Sequence, residues 1–183
     1  EILRRAAFAG ISVPMHTALR LGVRAAERIR ALNPACHICF FGLYAQLNAA
    51  HLLSTVADSV IGGESEEALA ALVRSLGTGG APEEASVKER LRGPVLRKLD
   101  FPIPDRAGLP ALDKYARLEI GTQTRLAGAV EASRGCKHLC LHCPIPPVYG
   151  GRFFVVPRET VLADVRRLFR SGARHVTFGD PDF

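Results

Sequence analysis

Three cysteines lie close together near the C-terminal end of the chain. Cys136, Cys140 and Cys143 have the spacing C-x3-C-x2-C, in a loop that follows an apolar segment and opens with Gly135. Three thiolates within eight residues can hold three corners of one iron-sulfur cube and leave the fourth iron without a protein ligand. That iron would be open to a further ligand, so the spacing predicts a reactive cluster.

The same loop has a second interpretation as a zinc site. His138 or His142 could complete a Cys3His tetrahedron, although structural zinc sites usually pair two short knuckles and this loop has one. The alternative function is therefore a noncatalytic Cys3His zinc or electron-transfer module on an α/β scaffold. Disulfides are disfavoured, because five cysteines in 183 residues lack the density of a small secreted scaffold. This cysteine usage predicts a reducing, cytoplasmic location.

The elements around the loop predict the start of a barrel. Residues 126–130 are small and apolar, as in a buried strand, so the cysteine loop leaves the carboxyl end of a strand, where barrel enzymes carry their chemistry. After Pro157 the apolar residues recur at helical spacing until Gly172. Residues 175–178 then predict a second strand.

The run Arg134-Gly135-Cys136, with Cys140 and Cys143, resembles the cluster-binding loop of the radical S-adenosylmethionine superfamily. The resemblance implies a 4Fe-4S cluster on the three cysteines and S-adenosylmethionine on the open iron. It also implies a partial (β/α) barrel, in which one electron from the cluster cleaves the cofactor to methionine and a 5'-deoxyadenosyl radical. The substrate would be a small molecule or a peptide, and the electron donor a protein such as flavodoxin or ferredoxin.

The end of the chain resembles a second signature of that superfamily, a Gly-Gly-Glu-Pro-like turn that contacts the amino group of S-adenosylmethionine. Here Phe178 replaces the first Gly and Asp180 replaces Glu. The resemblance implies cofactor contacts at Gly179 and Asp180, and at His142, which occupies a usually aromatic position whose backbone lies against the adenine. An ordinary solvated Asp-Pro turn is the alternative for Asp180.

The first part of the chain predicts a separate α/β unit. Apolar strands near residues 7–13, 37–41 and 59–61 alternate with helices at 17–32, from Asn48, and at 65–76. Alternation of this kind predicts a Rossmann-like parallel sheet flanked by helices. Ligands of such sheets lie at the carboxyl ends of the strands.

Those strand ends resemble the cobalamin-binding domain of one large radical subfamily. Ser12, Gly42 and Gly63 stand where that domain would approach cobalamin, with Pro14 and Phe41 departing from its pattern. The sheet either binds cobalamin or has kept the architecture without the ligand, since glycines also make tight strand-to-helix turns. The order of motifs further resembles uncharacterised cobalamin-domain radical proteins with a cysteine or selenocysteine tail.

The predicted organisation has three parts. Residues 1–76 form an incomplete cobalamin-binding-like domain, residues 77–125 a linker rich in Gly and Pro, and residues 126–183 the start of the barrel. Two βα units cannot close a barrel, and the chain begins without Met. We therefore expect a piece of a longer enzyme, truncated at both ends and inactive alone.

Charge and hydropathy indicate whether nucleic acid or a membrane is an expected partner. The net charge is +6, but the basic residues are spread over helix faces, so we do not expect nucleic acid as a partner. A tRNA-modifying enzyme remains the alternative, because several radical enzymes act on RNA. No apolar run approaches the roughly 20 residues of a membrane span.

Cys36 and Cys39 form a C-x-x-C pair of the kind found in redox proteins. The strand predicted at 37–41 argues against that function. Residues three apart on a strand point to opposite faces, roughly 10 Å apart along it. We therefore expect no shared metal or disulfide.

Overall fold

A parallel sheet forms the first part of the chain, in a computed structural model that describes residues 1–77, 93–97, 99–115 and 117–181. Strand β2 pairs with β1 on one side and with β3 on the other, both in parallel. The elements are α1 (Ile2–Arg5), β1 (Phe8–Ser12), α2 (His16–Leu32), β2 (His37–Phe41), α3 (Leu43–Leu47), α4 (Ala49–Thr55), β3 (Ser59–Ile61) and α5 (Glu66–Gly77). The predicted alternation is confirmed.

The two faces of this sheet are covered by different helices. On one face Ile38 and Phe40 pack with Ala26, Ile29 and Leu52 from α2 and α4. On the other face, Cys39 and Ile61 pack against Leu72 of α5. Because both faces are buried, the strands are continuously apolar rather than alternating, which explains why short runs predicted them well.

The second part of the chain contains a mixed sheet and a short strand pair. Strand β5 pairs antiparallel with β4 through its first half and parallel with β8 through its second half, and β6 pairs antiparallel with β7. The elements are β4 (Arg117–Ile120), β5 (Gln123–Val130), β6 (Ser133–Gly135), α6 (Pro146–Tyr149), β7 (Phe153–Val155), α7 (Arg158–Arg170) and β8 (His175–Phe178). Strands β4, β6 and β7 were not predicted.

Helix α7 lies on the sheet at Gly128. A Cβ on that glycine would come within 2.8 Å of the Leu168 side chain, so a larger residue there would displace Leu168 from its buried position. Val130, Leu168 and Ala173 form the core there. The helix is followed by Gly172 at φ +100°, in the left-handed region that favours glycine, and the chain turns into β8.

The chain folds into two compact units. Unit 1 is Glu1–Lys98 with His138–Gly150, and unit 2 is Leu99–Lys137 with Gly151–Phe183. The predicted three-part division remains a prediction, and residues 78–92 of its linker lie outside the described residues. No helix in the described part of the chain is long and apolar enough to cross a membrane.

Candidate functional site

Cys136 directly follows strand β6. That strand is held by its pairing with β7 and by a hydrogen bond of 2.9 Å from the Val156 N–H to the Ala132 carbonyl. Gly135 has φ +75° and turns the chain just before Cys136. The first cysteine therefore lies at the end of an ordered strand, three residues beyond Ser133.

None of the three loop cysteines is fully buried. Cys140 is exposed, Cys136 and Cys143 are half-buried, and none of them is in a disulfide. The Cys143 N–H donates to the Cys140 carbonyl at 3.2 Å, which makes a tight turn between the last two cysteines. Cysteine thiols outside disulfides are the donors that an iron-sulfur cluster uses, so the residue types fit the group.

Convergence of the three thiols remains a prediction. Among the described residues there is no group of three or more His, Cys, Asp or Glu side chains that could hold a metal ion. Cys136 belongs to unit 2, whereas Cys140 and Cys143 belong to unit 1. His142, predicted to lie against the adenine, is exposed, and its role is likewise untested.

Asp180 lies at the end of β8 and binds the start of β6. Its Oδ1 accepts hydrogen bonds from the Ala132 N–H at 2.9 Å, from the Ser133 hydroxyl at 2.7 Å and from the Ser133 N–H. The Gly179 N–H donates to the Val130 carbonyl at 2.9 Å. The predicted signature turn therefore touches the segment that leads into the cysteine loop.

The other carboxylate oxygen of Asp180 is buried and has no hydrogen-bond partner among the described residues. Buried polar atoms in native proteins are normally paired, so an orphaned oxygen indicates a missing donor. A carboxylate oxygen is acceptor-only and suits a cationic N–H donor. The site thus fits an ammonium group, as the resemblance implies for Asp180.

A second carboxylate in unit 2 was not predicted. Asp164 is 4 % exposed and forms a two-point ion pair with Arg106, at 2.9 Å and 2.7 Å. Hydrogen bonding to Asp164 raises the pKa of Arg106. The sequence signal that could have identified Asp164 is a single Asp on the apolar face of the predicted helix, between Val161 and Leu168.

Residues 101–106, which precede β4, make several contacts within unit 2. Arg106 also donates to the Ala129 carbonyl at 3.0 Å, and Arg167 donates to the Pro104 carbonyl at 2.9 Å. The Arg134 guanidinium lies 5.2 Å from the centre of the Phe101 ring. Because Arg134 is on β6, this part of the predicted linker is packed against the strand that immediately precedes Cys136.

A cavity of about 620 Å³ lies beside β5 and β8. Its wall is mainly apolar, with Arg106, Tyr115, Ser171 and Thr177 as polar residues. It is large enough for a small molecule.

The three residues predicted to contact cobalamin lie at the carboxyl ends of the strands of the unit 1 sheet. Ser12 ends β1 and is exposed, Gly42 follows β2, and Gly63 follows β3. Gly63 has φ +71°, and a Cβ on it would lie 2.2 Å from the Val95 carbonyl oxygen. Packing by the chain itself therefore requires this glycine, whether or not a ligand approaches it.

A buried carboxylate lies at the same edge. Glu64 is 1 % exposed, its N–H donates to the Val95 carbonyl at 2.7 Å, and its Oε1 accepts from the Tyr149 hydroxyl at 3.1 Å. Tyr149 ends α6, six residues after Cys143. Neither residue was singled out from the sequence.

Cys39 lies in β2, and Cys36 lies just before that strand. Both are buried, and they belong to the cores on opposite faces of the sheet. Burial raises the pKa of Cys36 and raises the pKa of Cys39 to about 11. The prediction that they share no disulfide or metal agrees with this placement.

No protein-family model matches the chain, and no curated protein matches it significantly. Solved structures do. The chain is similar to the radical S-adenosylmethionine methyltransferase TsrM from Kitasatospora setae with tryptophan substrate and the analogue aza-SAM bound, with a TM-score of 0.73 and 17 % identity over 96 % of the chain. It is also similar to TsrM with cobalamin and a 4Fe-4S cluster bound, with a TM-score of 0.68 and 15 % identity over 97 % of the chain.

This similarity shows the fold. The predicted class is confirmed: an α/β chain with an N-terminal parallel sheet followed by the start of a barrel, matching part of the TsrM fold. The chain spans 37 to 38 % of the length of these structures.

Proposed function

We propose that this chain is part of a radical S-adenosylmethionine enzyme that binds a 4Fe-4S cluster and reductively cleaves S-adenosylmethionine. The observation that carries the proposal is the position of the C-x3-C-x2-C loop. It begins directly after β6, beside the end of β8, in a chain whose fold matches part of a radical S-adenosylmethionine methyltransferase.

Each residue would have a distinct task. Cys136, Cys140 and Cys143 would hold the cluster, which when bound supplies the single electron for cleavage. The unpaired oxygen of Asp180 would accept a hydrogen bond from the cofactor's ammonium group, with Gly179 beside it. The backbone at His142 would lie along the adenine.

Cobalamin is a further part of the proposal. One similar structure has cobalamin bound, and Ser12, Gly42 and Gly63 lie at the carboxyl edge of a parallel sheet, where ligands of such folds bind. We propose that this edge takes the cofactor, whereas a sheet that has lost the ligand would show no binding. A bound cobalamin would favour transfer of a methyl group to the substrate.

The proposed chemistry also indicates the substrate class, the electron donor and the compartment. The substrate would be a small molecule or a peptide, and the electron donor a flavodoxin or ferredoxin. None of the five cysteines is in a disulfide, which supports a reducing cytoplasm. We do not propose nucleic acid or a membrane as a partner.

Anaerobic reconstitution with iron and sulfide tests the proposal. We expect a brown protein with broad visible absorbance and about four irons per chain. Replacing Cys136, Cys140 or Cys143 by Ala should remove the colour, whereas the buried Cys36→Ala should keep it. A colourless protein that binds zinc through the same cysteines would establish the Cys3His alternative instead.

A further inference from the structure

The geometry points to a positioning role for Ser133, which rests on the proposed cluster site. We propose that Ser133 and Asp180 form a clamp that fixes the strand leading into Cys136 and so sets the direction of that ligand. Ser133 would act through Asp180 without touching the cluster.

Three donors meet on one oxygen in this clamp. The N–H of Ala132, and the N–H and hydroxyl of Ser133, all donate to Oδ1 of Asp180. Ser133 is 5 % exposed, so these bonds are largely shielded from water. Hydrogen bonds to a charged acceptor are roughly twice as strong as neutral ones, which makes the clamp a firm local anchor.

The strand needs such an anchor. Strand β6 has three residues and pairs only with the three residues of β7 among the described strands. Gly135, between Ser133 and Cys136, has wide conformational freedom. Without the clamp, the short strand would open more often, and the direction of Cys136 would no longer be fixed.

A contact that only stabilises the fold would act differently. Its loss would change the Cys136 rate no more than an equal loss of stability elsewhere in unit 2 would. A positioning contact instead changes Cys136 selectively, and this can be measured in iron-free protein. Cys140 and Cys143 serve as internal references in the same molecule.

The test is alkylation of the iron-free chain with iodoacetamide, followed residue by residue by mass spectrometry. In Ser133→Ala we expect the Cys136 rate to rise about tenfold, since losing a charge-assisted bond of about 1.4 kcal/mol makes local opening about ten times more frequent. The Cys140 rate should not change, and the melting temperature should fall by only the few degrees that a loss of about 1.4 kcal/mol produces. The control Ser171→Ala removes another hydroxyl of unit 2, bonded to the Arg167 carbonyl, and should leave Cys136 unaffected.

A double-mutant cycle completes the test. Asp180→Ala should raise the Cys136 rate at least as much, and adding Ser133→Ala to it should cause no further rise, because the acceptor is already gone. After reconstitution, Ser133→Ala should retain less iron than the wild type. Equal Cys136 rates in Ser133→Ala and wild type, or additive effects in the double variant, would overturn the clamp. Failure of the wild type to take up iron would instead refute the proposed function.

Discussion

The hydroxyl of Tyr149 donates a hydrogen bond of 3.1 Å to the carboxylate of Glu64, which is 1 % exposed. Both residues belong to unit 1, but they are 85 residues apart in sequence. One ends the helix that follows the cysteine loop, and the other follows the last strand of the parallel sheet. The bond therefore connects the segment that follows Cys143 to the carboxyl ends of the sheet strands, where we propose that cobalamin binds.

Tyr149→Phe tests the strength of this attachment. The variant removes one donor from a buried carboxylate, so we expect the free energy of unfolding to fall by about 1.5 to 3 kcal/mol, the range for hydrogen bonds to charged groups. Urea denaturation would measure the change. Tyr44→Phe is the matched control, because the Tyr44 hydroxyl makes no hydrogen bond within the described residues. Equal midpoints for both variants would contradict the expectation.

Asp180→Asn tests cofactor binding by the second oxygen of that side chain. Asn retains one oxygen for the donors of Ala132 and Ser133 but replaces the unpaired oxygen by an N–H donor, which repels an ammonium group. We expect affinity for S-adenosylmethionine to fall about tenfold or more, with the cluster retained, because a charge-assisted bond contributes about 1.5 to 3 kcal/mol.

An anaerobic titration of the reconstituted protein would measure this affinity. The visible absorbance of the cluster before cofactor addition is the control for loading. Unchanged affinity would return Asp180 to the status of a turn residue that only binds β6.

Cobalamin binding can be tested directly by titration followed by absorbance. We expect a spectral change on binding, and Ser12→Phe should weaken it, because Ser12 is exposed at the sheet edge and a bulky ring there would obstruct a ligand. Arg24→Phe on the exposed side of α2 is the control. No spectral change with excess cobalamin would refute binding at this edge.

The thiols should differ sharply in their dependence on pH. Burial raises the pKa of Cys39 to about 11, so at pH 8 roughly one Cys39 in a thousand is a thiolate, and only the thiolate reacts. The exposed Cys140 should be alkylated at pH 8, whereas Cys39 should resist until the pH approaches its pKa or the protein unfolds. Mass spectrometry after iodoacetamide treatment would show this order. Fast labelling of Cys39 at pH 8 in folded protein would contradict it.

The sequence predicted those elements whose residues carry a local pattern. Strands β2, β3 and β8 have the predicted bounds, because apolar and β-branched runs there are delimited by Gly, Pro or Asp. Strands β6 and β7 have three residues each, too few to show alternation. Helix α3 was missed because it begins immediately after Gly42, and the prediction began a helix only at Asn48.

The site residues, too, could be predicted only where their pattern is local in the sequence. The cysteine spacing is local and could be read directly, but the partners of Ser133 and Asp164 are 47 and 58 residues away. No periodicity indicates such partners. A sequence shows that a polar residue lies on a buried face, whereas the fold decides which distant group it meets.

Arg106 also covers part of a strand edge in unit 2. Strand β4 pairs only with the first half of β5, so the second half has an edge to which no described strand pairs. Arg106 occupies the Ala129 carbonyl on this edge, and Pro102 and Pro104 just before it have no backbone N–H to offer. An unprotected edge recruits strands from other molecules. We therefore expect this segment to hinder strand pairing between copies of the chain at this edge.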